Sequence, residues 1–527
     1  MHDGRLSVRS LPVRKSVIVM VSCRRTRPSI GSPGRSFFRP MEGIRMRRTE
    51  TLKSAPACGA AARSAAGAVG ALIASLVSAA AATAQPASPP GMPPLSRSTA
   101  DIHYRAAITI SDGAYQPAQS HSALVSRGTV GDTSATAIAI DAEADGVNGV
   151  YVHGDRGVYT VTNSTIVLSG KGRSDFDGIA AGALVSQGAT LVLKNDRITT
   201  NGVVSTATTA TENGTLKVYR STLIANGGPL PSGYVPRIGP GMMEPPSPLR
   251  LSGDARTTLT MGQAKSYFYD STIIARGWGA LSTDAAHGAY LEADNCDIRT
   301  INSGYGTYAD NGATVAINRS RMHVATYGGV IAGTGVVRLR GDTIASDGNG
   351  VMIHDVMGQT SDIARLEIQG GRIASENAAL YIKSANADIT VDHAGLTAKN
   401  GDLILAVVND DPNATKVNGA KVAGVNIVLR NDTLSGNILD LDPAHPMAVH
   451  FAGTTLAGVI KGAALWLDKT SEWKATGDSQ VTLMGPVVVG QIDAPRGVTI
   501  DAVAADGSGL AGTMSLPGGG LLVVQAK

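Results

Sequence analysis

The sequence predicts an all-β protein, a single-stranded right-handed parallel β-helix solenoid of about a dozen coils. The first observation is a short pattern that recurs four times between residues 266 and 344. Its copies end in steps of 25, 24 and 22 residues, at Ile273, Ile298, Met322 and Ile344. A fixed period of this size indicates a solenoid, because one repeat cannot bury its apolar face alone.

The second observation is that the pattern extends in both directions as apolar columns. The closing residues are Ile166, Ile198, Leu223, Ile273, Ile298, Met322, Ile344, Ile373, Leu396, Leu434 and Leu456. Five positions earlier lie Val161, Leu193, Val218, Phe268, Ala293, Ile317, Leu339, Ile368, Val391, Leu429 and Phe451. Seven positions earlier lie Tyr159, Leu191, Leu216, Ser266, Leu291, Val315, Val337, Leu366, Ile389, Ile427 and Val449. The alternation of these columns with polar residues is typical of a strand with one buried face.

The third observation is a column rich in Asn, Asp and Gly, three positions before each closing residue. It contains Asn163, Asn195, Arg220, Asp270, Asn295, Arg319, Gly341, Gly370, His393, Asn431 and Gly453. Asn, Asp and Gly tolerate a left-handed backbone, so this column predicts a corner between two strands. A second Gly/Asn corner and a third apolar strand follow, as in residues 348–353. Three strands per repeat without helical periodicity describe one coil of a parallel β-helix.

This repeat, over residues 108–476, resembles the right-handed parallel β-helix proteins of the pectin-lyase-like superfamily. Within it, the chain is most similar to passenger domains of pertactin-type autotransporters, because Leu465-Trp466-Leu467 and the Trp473 to Gly477 stretch look like their last coils. The resemblance implies either a surface protein or a polysaccharide-degrading enzyme, since the fold carries both. The sequence departs from the autotransporters in leaving too few residues after the coils for their β-barrel translocator.

The first 84 residues predict an export leader. Residues 46–84 have the form of a signal peptide, with a basic start, an apolar run over 65–82 and a small-residue cleavage site before Gln85. Residues 1–45 lie either upstream of the true start, at Met41 or Met46, or in an extended signal region. We expect a bacterial protein that is secreted, periplasmic or at the cell surface, and that does not span the membrane after leader cleavage.

Charge and cysteine usage agree with this prediction. The chain has 46 basic and 42 acidic residues, but 14 and 3 of them lie in residues 1–84, which leaves 32 and 39 in the remainder. That part is therefore acidic, and nucleic acid is not an expected partner. Cys23 and Cys58 lie in the leader, so Cys296 has no intramolecular disulfide partner in the mature chain.

The mature chain divides into four predicted segments. Residues 85–100 form a Pro-rich linker, residues 101–475 form the β-helix, and residues 476–527 form a C-terminal β cap. Within the β-helix, the Pro-rich stretch 227–249 replaces a regular rung, because proline removes donors from the ladder. We expect it to be a long loop that leaves the stack, and such loops are often functional.

Aromatic residues concentrate beside glycine on consecutive coils, at Trp278, Tyr305 and Tyr327. With coils about 4.8 Å apart, these rings predict an exposed ladder that would bind the apolar faces of sugar rings, with Tyr308 and His287 as further contacts. The alternative is that the rings only stack on one another and stabilise a corner, at about 0.5–1.5 kcal/mol per pair.

Three aspartates near the aromatic residues are the candidate catalytic groups: Asp284, Asp310 and Asp355. Two carboxylates about 5–10 Å apart could serve glycoside hydrolysis, and an acidic cluster beside an arginine could hold Ca²⁺ for lyase chemistry. The alternative is that they are solvated turn residues. The motifs that mark polygalacturonases and the repeated calcium ligands of pectate lyases are missing from the sequence, and no motif predicts another metal site or cofactor.

These observations favour a non-catalytic exported protein, adhesin-like or glycan-binding, whose partner is a polysaccharide or a host surface glycan. The alternative is a polysaccharide lyase or glycoside hydrolase that acts in a groove of the β-helix. The position of an arginine relative to the acidic cluster separates the two, because a lyase needs a cationic group within reach of the carboxylates.

Overall fold

The computed structural model of the chain describes residues 102–155, 157–286, 288–505 and 509–526. The predicted leader 1–84 and linker 85–100 therefore lie outside the described residues. Short 3₁₀ turns at Pro117–Gln119, Ser122–Leu124, Ser247–Leu249 and Val489–Gln491 accompany 44 strands. Within these ranges, none of the helices has the length and apolar character needed to cross a bilayer.

The strands follow one another at short intervals. The first are β1 (Arg105–Ser111), β2 (Ala114–Tyr115), β3 (Val125–Val130), β4 (Ser134–Ala142), β5 (Val147–His153), β6 (Val158–Thr162), β7 (Thr165–Leu168) and β8 (Ala183–Val185). The middle of the chain forms β9 (Thr190–Lys194), β10 (Arg197–Thr200), β11 (Thr208–Ala210), β12 (Thr215–Tyr219), β13 (Thr222–Ala225), β14 (Arg256–Gly262), β15 (Lys265–Tyr269), β16 (Thr272–Ala275), β17 (Gly279–Ala286), β18 (Tyr290–Asp294), β19 (Asp297–Thr300), β20 (Tyr305–Ala309), β21 (Thr314–Asn318), β22 (Arg321–Val324), β23 (Tyr327–Ala332), β24 (Val336–Arg340), β25 (Thr343–Ser346), β26 (Asn349–His354), β27 (Ile363–Gln369), β28 (Arg372–Ser375), β29 (Leu380–Lys383), β30 (Asn386–Asp392), β31 (Gly395–Ala398) and β32 (Asp402–Val407). The last are β33 (Val425–Arg430), β34 (Thr433–Ser435), β35 (Asn437–Asp440), β36 (Met447–Ala452), β37 (Thr455–Ala457), β38 (Ile460–Leu467), β39 (Glu472–Lys474), β40 (Ser479–Leu483), β41 (Ile492–Asp493), β42 (Thr499–Ala504), β43 (Gly512–Ser515) and β44 (Leu521–Ala526).

Parallel pairing sorts the strands into three faces, and each coil contributes one strand to each face. Face A contains β6, β9, β12, β15, β18, β21, β24, β27, β30, β33, β36, β38, β40, β42 and β44. Face B contains β4, β7, β10, β13, β16, β19, β22, β25, β28 and β31, and β34, β37, β39 and β41 form a second sheet further along. Face C contains β1, β5, β8, β11, β14, β17, β20, β23, β26, β29, β32, β35 and the start of β38. The predicted all-β parallel solenoid is confirmed.

The three predicted apolar columns form the core of this solenoid. Every residue of the closing column and of the columns five and seven positions earlier is buried, with at most 3% of its surface exposed. Ser266 is the polar member, and its hydroxyl is satisfied by Thr260 Oγ1 at 2.7 Å. The columns stack in register because the parallel pairs join equivalent residues of successive coils, such as Ile317 with Leu339.

The corner between face A and face B is formed by the predicted Asn, Asp and Gly column. All eleven residues of that column have a positive φ, including Asn163, Arg220 and His393. On most coils the next residue is a buried Ser, Thr or Asp, and its side chain accepts a hydrogen bond from a backbone N–H of the preceding coil; Cys296, Gly371 and Ala394 are exceptions. For example, the Ser221 N–H donates to Ser271 Oγ at 3.1 Å, the Cys296 N–H to Ser320 Oγ at 3.0 Å, and the Ser320 N–H to Asp342 Oδ1 at 2.7 Å. This polar ladder satisfies backbone donors that the turn removes from the sheet.

Both ends of the described stack depart from regular coils. At the start, β1 pairs antiparallel with β2, and β3 pairs antiparallel with β4. At the end, parallel pairing continues through β40, β42 and β44, and β43 folds back antiparallel on β44. Antiparallel hairpins at the ends cover strand edges that would otherwise be open to another chain.

Candidate functional site

The Pro-rich loop folds back onto face C. The strands before and after it pair directly, as β13 with β16 and β12 with β15, so residues 226–255 are an insertion within a single coil. Residues of the second half of the loop, Met242 and Leu249, pack in one apolar cluster with residues on β23 and β26, Val330 and Met352. The outer half of the loop is largely exposed at Leu230, Val235 and Ile238.

The predicted sugar-binding rings lie under this loop. Trp278, Tyr305 and Tyr327 are 2%, 1% and 4% exposed, and Tyr308 is partly buried. The Tyr327 hydroxyl donates to the Leu249 carbonyl at 3.1 Å, which ties the ring to the loop. The expectation of an exposed ladder was wrong, because the apolar side chains between the loop prolines cover the rings. His287 lies outside the described residues.

Beside these rings, Arg256, Asp175 and Asp284 form a largely buried ion cluster. The Arg256 guanidinium donates to Asp175 through Nε at 3.0 Å and through Nη2, and to Asp284 Oδ2 through Nη1 at 2.7 Å. Its Cζ also lies 5.0 Å from the centroid of the Trp278 ring. Burial lowers the pKa of Arg256, but the charge of Asp284, the nearby Tyr305 and the hydrogen bonds to these two side chains outweigh burial and leave the pKa raised. Arg256 and Asp175 each expose 1% of their side chains.

A tyrosine pair fills the space beside this ion cluster. The Tyr305 ring packs above Gly279, where an added Cβ would lie 2.0 Å from the ring, so the position requires glycine. Its hydroxyl hydrogen-bonds with Ser282 Oγ at 2.9 Å, and its ring centroid lies 5.3 Å from that of Tyr308. Burial and the nearby carboxylates of Asp310 and Asp284 raise the pKa of Tyr308 well above its usual value.

The structure brings two of the three candidate aspartates together. Asp284 and Asp310 lie on adjacent coils of face C, and the backbone N–H of Asp310 donates to Thr283 Oγ1 at 3.0 Å. Asp355 follows β26, two coils further, about 10 Å along the stack. It is 4% exposed, and burial, aided by the charge of Asp362, raises its pKa to about 7. The neighbouring His354 is also buried, which lowers its pKa to about 4.

A groove opens on face C immediately beyond the loop. Its volume is about 370 Å³, and it is lined by Arg250, Thr326, Tyr327, Gly348, Asn349, Asn377, Ala378, Tyr381, Lys383, Asn400 and Leu405. Arg250 and Lys383 bind Asp410 at 2.8 and 2.5 Å, and these hydrogen bonds lower the pKa of Asp410 to about 2. Of the predicted ligand-binding residues, Tyr327 lines this groove.

Face A carries a second aromatic surface, which the sequence interpretation did not single out. Tyr219 and Tyr269 stack with ring centroids 5.1 Å apart, and Tyr267 and Tyr290 lie 5.7 Å apart. All four rings are partly exposed on successive coils, and Tyr290 donates to Glu292 at 2.6 Å. The signal was present in the alternation of Tyr267 and Tyr269 around the buried Phe268, which places both tyrosines outward.

Comparison with known proteins gives no family. No protein-family model matches the sequence, and no curated protein is similar to it.

Proposed function

We propose that this chain is an exported, non-catalytic β-helix protein that binds a glycan at the cell surface through the groove on face C. The observation that supports this proposal is the combination in one open groove of a partly exposed ring, Tyr381, with three asparagines, Asn349, Asn377 and Asn400. Ligand sites are typically concave and mostly apolar, with a few polar groups that fix orientation.

The chemistry of the groove suits a sugar. An aromatic face packs against the apolar face of a pyranose ring, and asparagine amides offer both donors and acceptors to hydroxyl groups. The asparagines come from successive coils, about 4.8 Å apart, so they would contact successive parts of an extended chain. A polysaccharide lying along the solenoid axis therefore fits this groove better than a compact small molecule.

One observation favours an enzyme, the close approach of Arg256 to Asp284. A lyase needs a cationic group near its carboxylates, and this pair is 2.7 Å apart. However, Arg256 is 1% exposed and its guanidinium is already held by two aspartates and the Trp278 ring. A substrate would have to displace the loop to reach it, which is why the lyase or hydrolase remains the second candidate.

The test is a glycan array with the mature protein, followed by titration of the best ligand. We expect Tyr381→Ala to weaken binding about 2- to 10-fold, since one ring contact contributes about 0.5–1.5 kcal/mol. The matched control is the double variant Tyr267→Ala, Tyr290→Ala, which removes two rings from face A and should bind as the wild type does. Binding that survives Tyr381→Ala but is lost in the control would place the site on face A. Release of unsaturated or shortened sugars by the wild type would favour the enzyme instead.

Export is tested separately on native cells. Mass spectrometry of the N-terminus should find the mature chain beginning near Gln85 outside the cytoplasm. Intact residues 1–84 on a cytoplasmic protein would contradict the proposal.

A further inference from the structure

Two loops beside the groove meet where two carboxylates converge. The first loop, residues 355–362, follows β26, and the second, residues 408–424, follows β32. They are joined by an antiparallel bridge between Val356 and Ala414, and the Met357 N–H donates to the Asn413 carbonyl at 3.0 Å.

Asp355 and Asp362, at the two ends of the first loop, both point toward Gly358. A Cβ placed on Gly358 would lie 2.1 Å from Asp355 Oδ1 and 2.8 Å from Asp362 Oδ2. The two oxygens are therefore at most 4.9 Å apart, the sum of those distances. Asp362 Oδ2 accepts the Gln359 N–H at 2.8 Å, which fixes the carboxylate in this direction.

One oxygen of the Asp355 carboxylate, Oδ1, is not satisfied by the protein, although the carboxylate also has hydrogen bonds with Thr415 and with the Val356 backbone. Asp355 is 4% exposed, yet its Oδ1 has no hydrogen-bond partner among the described residues. A buried acceptor without a partner costs about 1–3 kcal/mol, and more when it is charged. The pair of facing carboxylates adds repulsion to that cost.

We propose that Asp355 and Asp362 bind a calcium ion between their carboxylates, beside Gly358. Calcium takes oxygen ligands at about 2.3–2.6 Å in flexible geometry, and two oxygens within 4.9 Å of each other can both reach one ion. The described residues contain no group of three or more His, Cys, Asp or Glu side chains that could hold a metal ion, so carbonyl oxygens or water would have to complete the ligand set. Magnesium fits less well, because it requires near-ideal octahedral geometry at about 2.0–2.1 Å.

The ion would hold the two loops together next to the groove. The Gly358 N–H donates to Thr415 Oγ1 at 3.0 Å, so the cation site adjoins the second loop. The same loop carries Asp410, which pairs with Arg250 and Lys383 at the groove wall. With two carboxylate ligands we expect the weak affinity of extracellular calcium modules, with a dissociation constant of about 0.1–1 mM.

The experiment measures thermal unfolding of the full mature chain at pH 8, first with EDTA and then with increasing CaCl₂. We expect a saturable rise in melting temperature of about 2 °C for the wild type. Asp362→Asn should abolish the rise because it removes a ligand. Gly358→Ala should abolish it without removing a carboxylate, because the new methyl group would lie 2.1 Å from Asp355 Oδ1 and 2.8 Å from Asp362 Oδ2 and so push the two oxygens away from a shared ion. Asp347→Asn, which changes an exposed carboxylate elsewhere, should keep the full calcium response.

Each variant is compared with itself with and without calcium, so a change in its basal stability does not affect the result. Terbium luminescence on the wild type and Gly358→Ala supplies a direct binding signal that does not depend on unfolding. The proposal is overturned if the wild type shows no calcium response, or if Asp362→Asn and Gly358→Ala respond as the wild type does. Neither readout involves a glycan, so this proposal and the glycan-binding proposal fail independently.

Discussion

Replacing Arg256 with methionine tests whether the buried ion cluster holds the loop on face C. Methionine is unbranched like arginine but carries no charge. The substitution therefore leaves the Asp175 carboxylate, which is 1% exposed, without its cation. Removing one partner of a buried ion pair typically costs about 3–5 kcal/mol, because the remaining charge is uncompensated. We therefore expect Arg256→Met to lower the free energy of unfolding by that amount at pH 7.

The effect should be strongest at the loop. The Asp175 N–H donates to the Met242 carbonyl at 3.1 Å, and Ser174 Oγ accepts the Gly241 N–H at 2.8 Å. If Asp175 is no longer held by Arg256, residues 174 and 175 should shift, and both hydrogen bonds to the loop should weaken. Hydrogen exchange of the Gly241 amide should therefore accelerate more than exchange of core amides such as that of Ile317.

Two further variants make the test decisive in a urea-unfolding series. Arg338→Met breaks an exposed pair with Glu367 at 3.2 Å and should cost less than about 1 kcal/mol. The double variant Arg256→Met, Asp175→Asn removes the uncompensated charge and should recover much of the lost stability. Two results would refute the reasoning. One is that Arg256→Met lowers the free energy of unfolding by less than about 1 kcal/mol. The other is that the loss in the double variant equals the sum of the losses in the two single variants.

Two more predictions concern the core and the polar ladder. Ile317→Asp should prevent folding, since a charge in the fully buried column costs several kcal/mol, and circular dichroism of Ile317→Asp beside the milder Ile317→Val checks this. Burial, opposed by backbone hydrogen bonds, raises the pKa of Asp196 and Asp342 to about 6. The folded protein therefore binds more protons than the unfolded chain between about pH 4 and 6, and stability falls as pH rises through that window, by at most about 3 kcal/mol per carboxylate. Urea unfolding at several pH values should show a flatter dependence for Asp342→Asn than for wild type, and an unchanged slope in that variant would contradict the assignment.

The core and one corner of the solenoid could be predicted because they depend on local spacing. A period-two pattern fixes which side chains point inward, and a positive φ selects Asn, Asp or Gly at the turn. The corner position has a positive φ even where it is occupied by Arg220, Arg319 or His393, although these residues lack a strong preference for that backbone conformation. There the stack imposes the conformation on the residue.

The burial of the aromatic rings could not be predicted in the same way. Whether an insertion projects into solvent or folds back depends on contacts between distant segments, such as Tyr327 with Leu249, 78 residues apart. The partner of Arg256, Asp175, is 81 residues away in the chain and carries no pattern that marks it. A weaker signal did exist, because the proline-rich loop also carries several apolar residues. Met242 and Leu249 pack against face C whereas Leu230, Val235 and Ile238 stay exposed, so the sequence did not show which of them would be covered.

A single outward row on face C explains both the buried rings and the open groove. The row runs through Tyr308, Val330, Met352, Tyr381 and Leu405, which pair in register on successive coils. The loop covers the row as far as Met352, so Val330 and Met352 belong to a core, whereas Tyr381 and Leu405 line the groove just past the loop. The reach of the loop, rather than any change in the coils, therefore sets where packing ends and the open groove begins.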